Sequence, residues 1–309
     1  MAEHRGLLGI ADLDRSEIEA ILARAKDFQP LENQTFRKLN TLSGKMIVNL
    51  FFEASTRTRI SFEIAAKRLG ADAVSISASG SSVSKGESLV DTLNTLAAMR
   101  PSAIVMRHAA SGAPNFLARH LPIPIINAGD GTHEHPTQAL LDARTILDRR
   151  ERLEGLRVAI IGDIAHSRVA RSNIHLLSKF GADIVLCGPA PLLPRELANI
   201  APGVTLTNVM NEAIRDADVI MMLRVQLERT HEAPYPAGEY FQFYGLRLEH
   251  VARVKPDVIV MHPGPINRGR ELSSEVADSQ RSVILNQVEN GVAVRMAVLE
   301  RVIGNATDH

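Results

Sequence analysis

Phe51-Phe52-Glu53-Ala54-Ser55-Thr56-Arg57-Thr58-Arg59 joins two segments of different periodicity. Before it, Met46-Ile47-Val48-Asn49-Leu50-Phe51-Phe52 is a short apolar run suited to a buried parallel strand. After it, Ile60 to Leu69 carries a helical pattern, and Gly70 follows as a common helix terminator. Ser55, Thr56, Arg57 and Thr58 therefore fall where a strand ends and a helix begins. First-turn amides have no intrahelical acceptor, and the helix dipole favours an anion there. The hydroxyls add donors and the arginine adds charge, so the segment predicts a phosphate cradle built without glycine. A bare Ser-Thr-Arg would pass for an N-cap and a surface arginine, so the rest of the chain has to decide.

Working outward, strands and helices alternate. Strand patterns lie at 46–52, 73–77, 102–107 and 123–127, with helical patterns at 56–69, 88–99 and 112–120 between them. Upstream, Arg15 to Phe28 reads as an amphipathic helix with Asp14 as N-cap. A long helix from Thr137 to Arg149 ends in a polar run, and a second series follows with strands near 156–161, 182–187, 204–207, 218–223 and 258–261. This order predicts an α/β protein of two domains, each with a mainly parallel sheet flanked by helices on both faces. The expected domains are 1–147 and 148–286, with a C-terminal helix at about 287–309 packing back on the first. Ligands of such sheets gather at the carboxyl ends of the strands. Ser55, Arg107, His108 and His135 all fall at such ends.

Composition narrows the function classes. The 309 residues carry 35 basic and 35 acidic side chains, which argues against a general nucleic-acid binder. No apolar run approaches the roughly 20 residues that span a bilayer, and no signal-peptide pattern opens the chain. The single cysteine, Cys187, excludes an internal disulfide framework and fits a cytoplasmic protein. Cys187 closes an apolar run and is expected to be buried.

Five further motifs bear chemistry. Ser81-Ser82-Val83-Ser84-Lys85-Gly86-Glu87-Ser88 is either a plain surface loop or a flap bringing a lysine and hydroxyls to an anion. Met106-Arg107-His108 ends a strand with an arginine, a natural ligand for phosphate or carbonyl oxygen. His133-Glu134-His135 invites a metal reading, but the H-E-x-x-H spacing is absent and no further ligands converge, so no metal site is expected. His135-Pro136-Thr137-Gln138 instead opens a helix, with Pro136 in a favoured first-turn position. Gly162-Asp163-Ile164-Ala165-His166-Ser167-Arg168 is a strand-turn-helix opening. The dinucleotide pattern G-x-G-x-x-G is missing from it, and Arg168 stands where glycine would admit a pyrophosphate. Finally, Leu223-Arg224-Val225-Gln226-Leu227-Glu228-Arg229 and His262-Pro263-Gly264-Pro265 each follow an apolar strand. Pro265 is a candidate for a cis peptide.

In this order, and over about 45 to 300, the motifs resemble those of the aspartate and ornithine carbamoyltransferase family. The resemblance implies that Ser55, Thr56, Arg57, Thr58 and Arg107 bind carbamoyl phosphate. It also implies that Lys85 and a serine reach the active site of a neighbouring subunit; Ser81 has the expected spacing, with Ser82 and Ser84 competing. Lys85 would serve both substrates. His135 would donate to the carbamoyl oxygen, Gln138 would hold the carbamoyl amide, and the carbonyls of Gly264 and Pro265 would hold substrate nitrogens. Gly264 stands where many members carry leucine.

Within the family the chain resembles the aspartate branch. There Arg168 binds one substrate carboxylate, while Arg224 and Gln226 read the other. The ornithine branch would show an acidic or Ser-Met-Gly-type loop and a His-Cys-Leu-Pro turn, and neither is present. The implied activity is carbamoyl transfer from carbamoyl phosphate to L-aspartate, in de novo pyrimidine (UMP) biosynthesis. The rival readings are a carbamoyltransferase for another amine such as ornithine, and a silent paralogue serving as a scaffold subunit. The catalytic set would be Arg57, Thr58, Lys85, Arg107 and His135. The departing phosphate can itself accept the amine proton, and no metal or organic cofactor is called for. The family further implies a homotrimer with shared active sites, and leaves room for a regulatory chain or a dihydroorotase-like partner.

Overall fold

The computed structural model describes residues 6–30, 38–77, 89–225 and 237–304. The chain divides into two compact units, Met1–Leu140 with Asn290–His309, and Leu141–Glu289.

The first unit opens with helix α1 (Arg15–Asp27). A reciprocal capping box starts it: the Glu17 amide donates to Asp14 Oδ1 at 2.8 Å, and the Asp14 amide donates to Glu17 Oε2 at 2.9 Å. Strands β1 (Met46–Phe51), β2 (Asp72–Ser77), β3 (Ala103–His108) and β4 (Ile125–Asp130) form a sheet in the order β2-β1-β3-β4. Every pair is parallel. Helices α2 (Thr56–Arg68), α3 (Leu89–Ala98) and α4 (Ala113–Ala118) make the crossovers, and α5 (Pro136–Arg150) follows β4. Strand alternation sends Val48, Leu50, Ile104 and Met106 into one cluster with Leu93, Leu96 and Leu117. Ile47, Asn49, Phe51 and Val105 point the other way and are buried as well. Both sheet faces are therefore covered, as parallel sheets require.

β4 begins two residues later than the sequence pattern suggests. Pro122 and Pro124 have no amide to donate, so pairing starts at Ile125, where the Ile104 amide already bonds the Pro124 carbonyl at 2.9 Å. The strand then runs on to Asp130 through a register shift opposite Met106 and His108.

In the second unit, β5 (Arg157–Ile161), β6 (Asp183–Cys187), β7 (Val204–Thr207), β8 (Val219–Met222) and β9 (Ile259–Met261) form an all-parallel sheet, order β7-β6-β5-β8-β9. Helix α6 (Arg168–Lys179) follows β5, and shorter helices α7 (Met210–Ile214), α8 (Ala237–Tyr244), α9 (Leu248–Val251) and α10 (Ser274–Ala277) fill the later connections. Ala159, Ile161, Val185, Ile220, Met222 and Val260 share a core cluster with Met210 and Ile214 of α7. The final helix, α11 (Ile284–Gly304), ends in the first unit's share of the chain. There Arg295 Nη1 donates to Ser61 Oγ at 3.0 Å and Arg24 Nε donates to Glu300 at 2.6 Å. No described helix is long and apolar enough to cross a membrane.

Candidate active site

Each sheet has one point where the chain reverses its direction of winding, and ligands of open parallel sheets settle there. In the first sheet it lies between β1 and β3. Phe51 is paired with Arg107, and the Phe52 amide extends the ladder to the Arg107 carbonyl at 2.9 Å. The segment after β1 therefore runs beside the end of β3. Ser55 is the N-cap residue of α2 but makes no capping bond with its side chain. The first helical bond is Arg59 N to Ser55 O, at 3.1 Å. The amides of Thr56, Arg57 and Thr58 thus precede the α2 hydrogen-bond ladder. Thr58 is buried, while Thr56 and Arg57 are exposed.

Arg107 is aimed by two acceptors. Its Nη2 donates to Glu53 Oε1 at 2.6 Å and its Nη1 to the Ala128 carbonyl at 3.2 Å. Glu53 lies inside the opening stretch, yet its service to Arg107 is not visible there. The neighbouring His108 packs edge-on against Phe52 and accepts from the Ala110 amide, so it supports the loop.

His135 enters from β4, at the end of a tight turn organised by Asp130. This fully buried carboxylate accepts from Asn127 Nδ2, the Glu134 amide, the Gly112 amide and His133 Nδ1. Burial pushes its pKa up, but the bonds from His133, Asn127 and Gly112 outweigh that and hold it below the ordinary aspartate value. The hydrogen bond to Asp130 in turn raises the His133 pKa against the opposing effect of burial. Glu134 turns away and accepts from the Ile10 and Ala11 amides at 2.7 and 3.2 Å. Gly9 permits that approach, since a Cβ there would come within 2.4 Å of Glu134 Oε1. The members of His133-Glu134-His135 thus serve different partners. His135 itself is buried and immediately precedes α5, its carbonyl accepting from the Gln138 and Ala139 amides. Gln138 lies three residues on, on the same side of the helix.

In the second sheet the reversal lies between β5 and β8. After β5, Gly162 takes φ +140, and a Cβ there would stand 3.0 Å from that of Leu223. Asp163, also buried, accepts from the His166 amide and from His166 Nδ1. Ser167 then caps α6 by accepting from the Ala170 amide at 3.1 Å, a contact of a kind that contributes about 1 kcal/mol. Arg168 is the first residue of α6 and is 5% exposed. After β8, the Leu223 amide bonds the Ile161 carbonyl at 2.8 Å, which sets Arg224 just past the strand end.

β9, the next strand over, leads to His262-Pro263-Gly264-Pro265, whose Gly264–Pro265 bond is cis. His262 Nδ1 accepts from the Gly264 amide at 2.8 Å. The His262 amide donates to Gln287, whose Nε2 donates to the buried Asp142 at 2.7 Å. Arg168, Arg224 and the Gly264–Pro265 turn thus lie past the ends of three adjacent strands, β5, β8 and β9. Ser81, Lys85 and Gln226 lie outside the described residues.

Cys187 ends β6 fully buried, and burial pushes its thiol pKa up to about 12. The supporting groups that sequence reasoning misses are Glu53, Asp130, Asp142, Asp163, Glu271 and Gln287.

The sequence profile of the aspartate/ornithine carbamoyltransferase carbamoyl-P binding domain matches residues 5–148, and that of the family's Asp/Orn binding domain matches 154–302. The aspartate carbamoyltransferase catalytic subunit of Solibacter usitatus is 82% identical over 299 residues, covering 97% of this chain and 99% of its own length. Aspartate transcarbamoylase from Trypanosoma cruzi, solved with aspartate and phosphate, superposes with a TM-score of 0.85 at 31% identity. That match covers 97% of this chain and 95% of the other. Ornithine carbamoyltransferase from Pyrococcus furiosus superposes at 0.84 with 31% identity, covering 97% of each chain. With both domain profiles matched in order and basic residues at the head of both sheets, the chain belongs to the aspartate/ornithine carbamoyltransferase family.

Proposed function

We propose that this chain transfers the carbamoyl group of carbamoyl phosphate to the amino group of L-aspartate. The products are N-carbamoyl-L-aspartate and phosphate, and the step belongs to de novo pyrimidine biosynthesis in the cytoplasm. The observation that carries the substrate choice is the pair Arg168 and Arg224 at the ends of neighbouring strands β5 and β8. A dicarboxylate needs cationic forks, and an amine-bearing side chain such as that of ornithine would be repelled by them.

In this reading residues 1–147 bind carbamoyl phosphate and 148–286 bind aspartate. Ser55, Thr56, Arg57, Thr58, Ser81 and Lys85 hold the phosphate. Thr58, Arg107 and His135 polarise the carbamoyl carbonyl, and Gln138, Gly264 and Pro265 hold its amide. Lys85, Arg168, Arg224 and Gln226 orient aspartate. The amine attacks the carbamoyl carbon, a tetrahedral oxyanion forms, and phosphate leaves carrying the amine proton. Negative charge moves in both steps, so donors fixed in advance supply most of the acceleration. The chemistry needs neither metal nor organic cofactor. The assembly is a homotrimer with sites shared between subunits, open to a regulatory or dihydroorotase-like partner.

The test is carbamoyl transfer by the purified chain offered carbamoyl phosphate with L-aspartate or, separately, L-ornithine. Product from aspartate alone is expected. Product from ornithine alone would overturn the reading of the two arginines. Product from neither would overturn the assignment of an active catalytic chain.

A further inference from the structure

Glu271 is fully buried and belongs to none of the substrate motifs. Its Oε1 accepts from the Val225 amide at 3.1 Å and from Asn267 Nδ2 at 2.8 Å, and its Oε2 accepts from the Asn267 amide at 2.8 Å. Val225 directly follows Arg224, and Asn267 ends the turn that starts at His262 and contains Gly264 and Pro265. A single carboxylate therefore ties the main chain beside Arg224 to the turn after β9. The His262 Nε2 atom stands 3.8 Å from Oε2, beyond hydrogen-bond reach, so among the described residues the Val225 and Asn267 N–H groups tie the carboxylate to the two segments.

Burying a carboxylate is costly, and an apolar side chain would fill the same volume without that penalty. Burial indeed pushes the carboxyl pKa of Glu271 up, although the Asn267 and Val225 donors pull it down. What the carboxylate adds over an apolar residue is the fixed spacing between the two segments.

We propose that Glu271 is a positioning residue for the second substrate, acting through Val225 and Asn267 to hold Arg224 at a set distance from the carbonyls of the 262–267 turn. The inference rests on the reading of Arg224 as an aspartate ligand. A displacement of about 1 Å in such a frame is enough to lower rates on the order of 100-fold.

The test is Glu271→Gln. Whichever way the new amide is turned, its NH2 faces a donor: Val225 N and Asn267 Nδ2 on one side, or Asn267 N on the other. The expected result is a rise of about tenfold or more in KM for aspartate, as the loss of a hydrogen bond to a charged group would give. Affinity for inorganic phosphate, measured by calorimetry, should stay within about twofold, because the groups read as holding phosphate all lie in residues 1–147 and the Glu271 contacts, Val225 and Asn267, do not. Ile184→Ala, a core truncation on β6, serves as the control: it should lower the melting temperature and leave KM for aspartate unchanged.

If the unmodified chain does not carbamoylate aspartate, the functional reading fails and this inference falls with it. If the unmodified chain is active and Glu271→Gln keeps its aspartate KM within about twofold, only the role of Glu271 is overturned. A parallel loss of affinity for inorganic phosphate would also overturn it, by marking a general loss of structure. Should Glu271→Gln not fold, Asn267→Ala decides. That variant leaves the Val225 bond in place and should raise the aspartate KM in the same direction by a smaller factor; an unchanged KM there overturns the proposal.

Discussion

Arg107 and Glu53 form an ion pair at the head of the β1–β3 crevice, Nη2 to Oε1 at 2.6 Å, with the guanidinium side chain 11% exposed and the carboxylate side chain 26%. A pair this shielded is screened less than a surface contact. Glu53 acts through Arg107, so the two should not contribute independently. Arg107→Ala should lower kcat/KM by about 100-fold or more, the scale of a lost oxyanion donor. Glu53→Gln should lower it by a smaller factor. The double variant should be no worse than Arg107→Ala alone. Losses that multiply would sink the idea that Glu53 works through Arg107.

His135→Ala should reduce kcat by about 100- to 1000-fold while circular dichroism and melting temperature stay near those of the parent. The backbone carbonyl that starts α5 survives the substitution, so the helix should persist. Near-normal turnover would remove His135 from the mechanism.

His133 and Asp130 predict a pH signature. The folded-state pKa of His133 lies above its ordinary value of 6.5. Its contribution to stability is therefore full below about 6.5 and is lost as pH rises through the raised folded value. Asp130 lies below its ordinary value of 3.8, so its contribution is present above that value and fades only in stronger acid. The melting-temperature gap between the parent and His133→Gln should be widest near pH 5 to 6 and should shrink toward pH 9. A gap that stays constant across this range would show that the imidazole charge adds nothing.

The proposal that active sites are shared between subunits makes a mixing prediction. Arg57→Ala and Lys85→Ala chains, each inactive alone, should regain partial activity when combined, because some interfaces then unite two intact halves. No recovery after verified subunit exchange would exclude a site built from both subunits.

The strands were legible because parallel strands covered on both faces read as near-continuous apolar runs, as in Met46–Phe51, interrupted only by Asn49, and residues 158–161. The placement of Arg107, Arg168 and Arg224 near strand ends was legible because each sits in a local motif there. What escaped were polar groups whose meaning depends on a distant partner. Glu271 meets Val225 across 46 positions, and Gln287 meets Asp142 across 145. No periodicity links such residues, since the fold alone brings them together. Glu53 escaped for another reason: a carboxylate among phosphate donors looks out of place until the Arg107 guanidinium is seen beside it.

The single cysteine of the chain is sealed at the end of β6 with its thiolate form strongly disfavoured, and the chain has no tryptophan. The native protein is therefore nearly silent to maleimides and to indole fluorescence. A cysteine introduced at Met99, which is 71% exposed, or at Leu285, which is 82% exposed, would be the one fast-reacting sulfur in each chain. A tryptophan placed elsewhere would be the one indole emitter. Site-specific labelling can begin from the wild-type gene, with no background thiol to remove first.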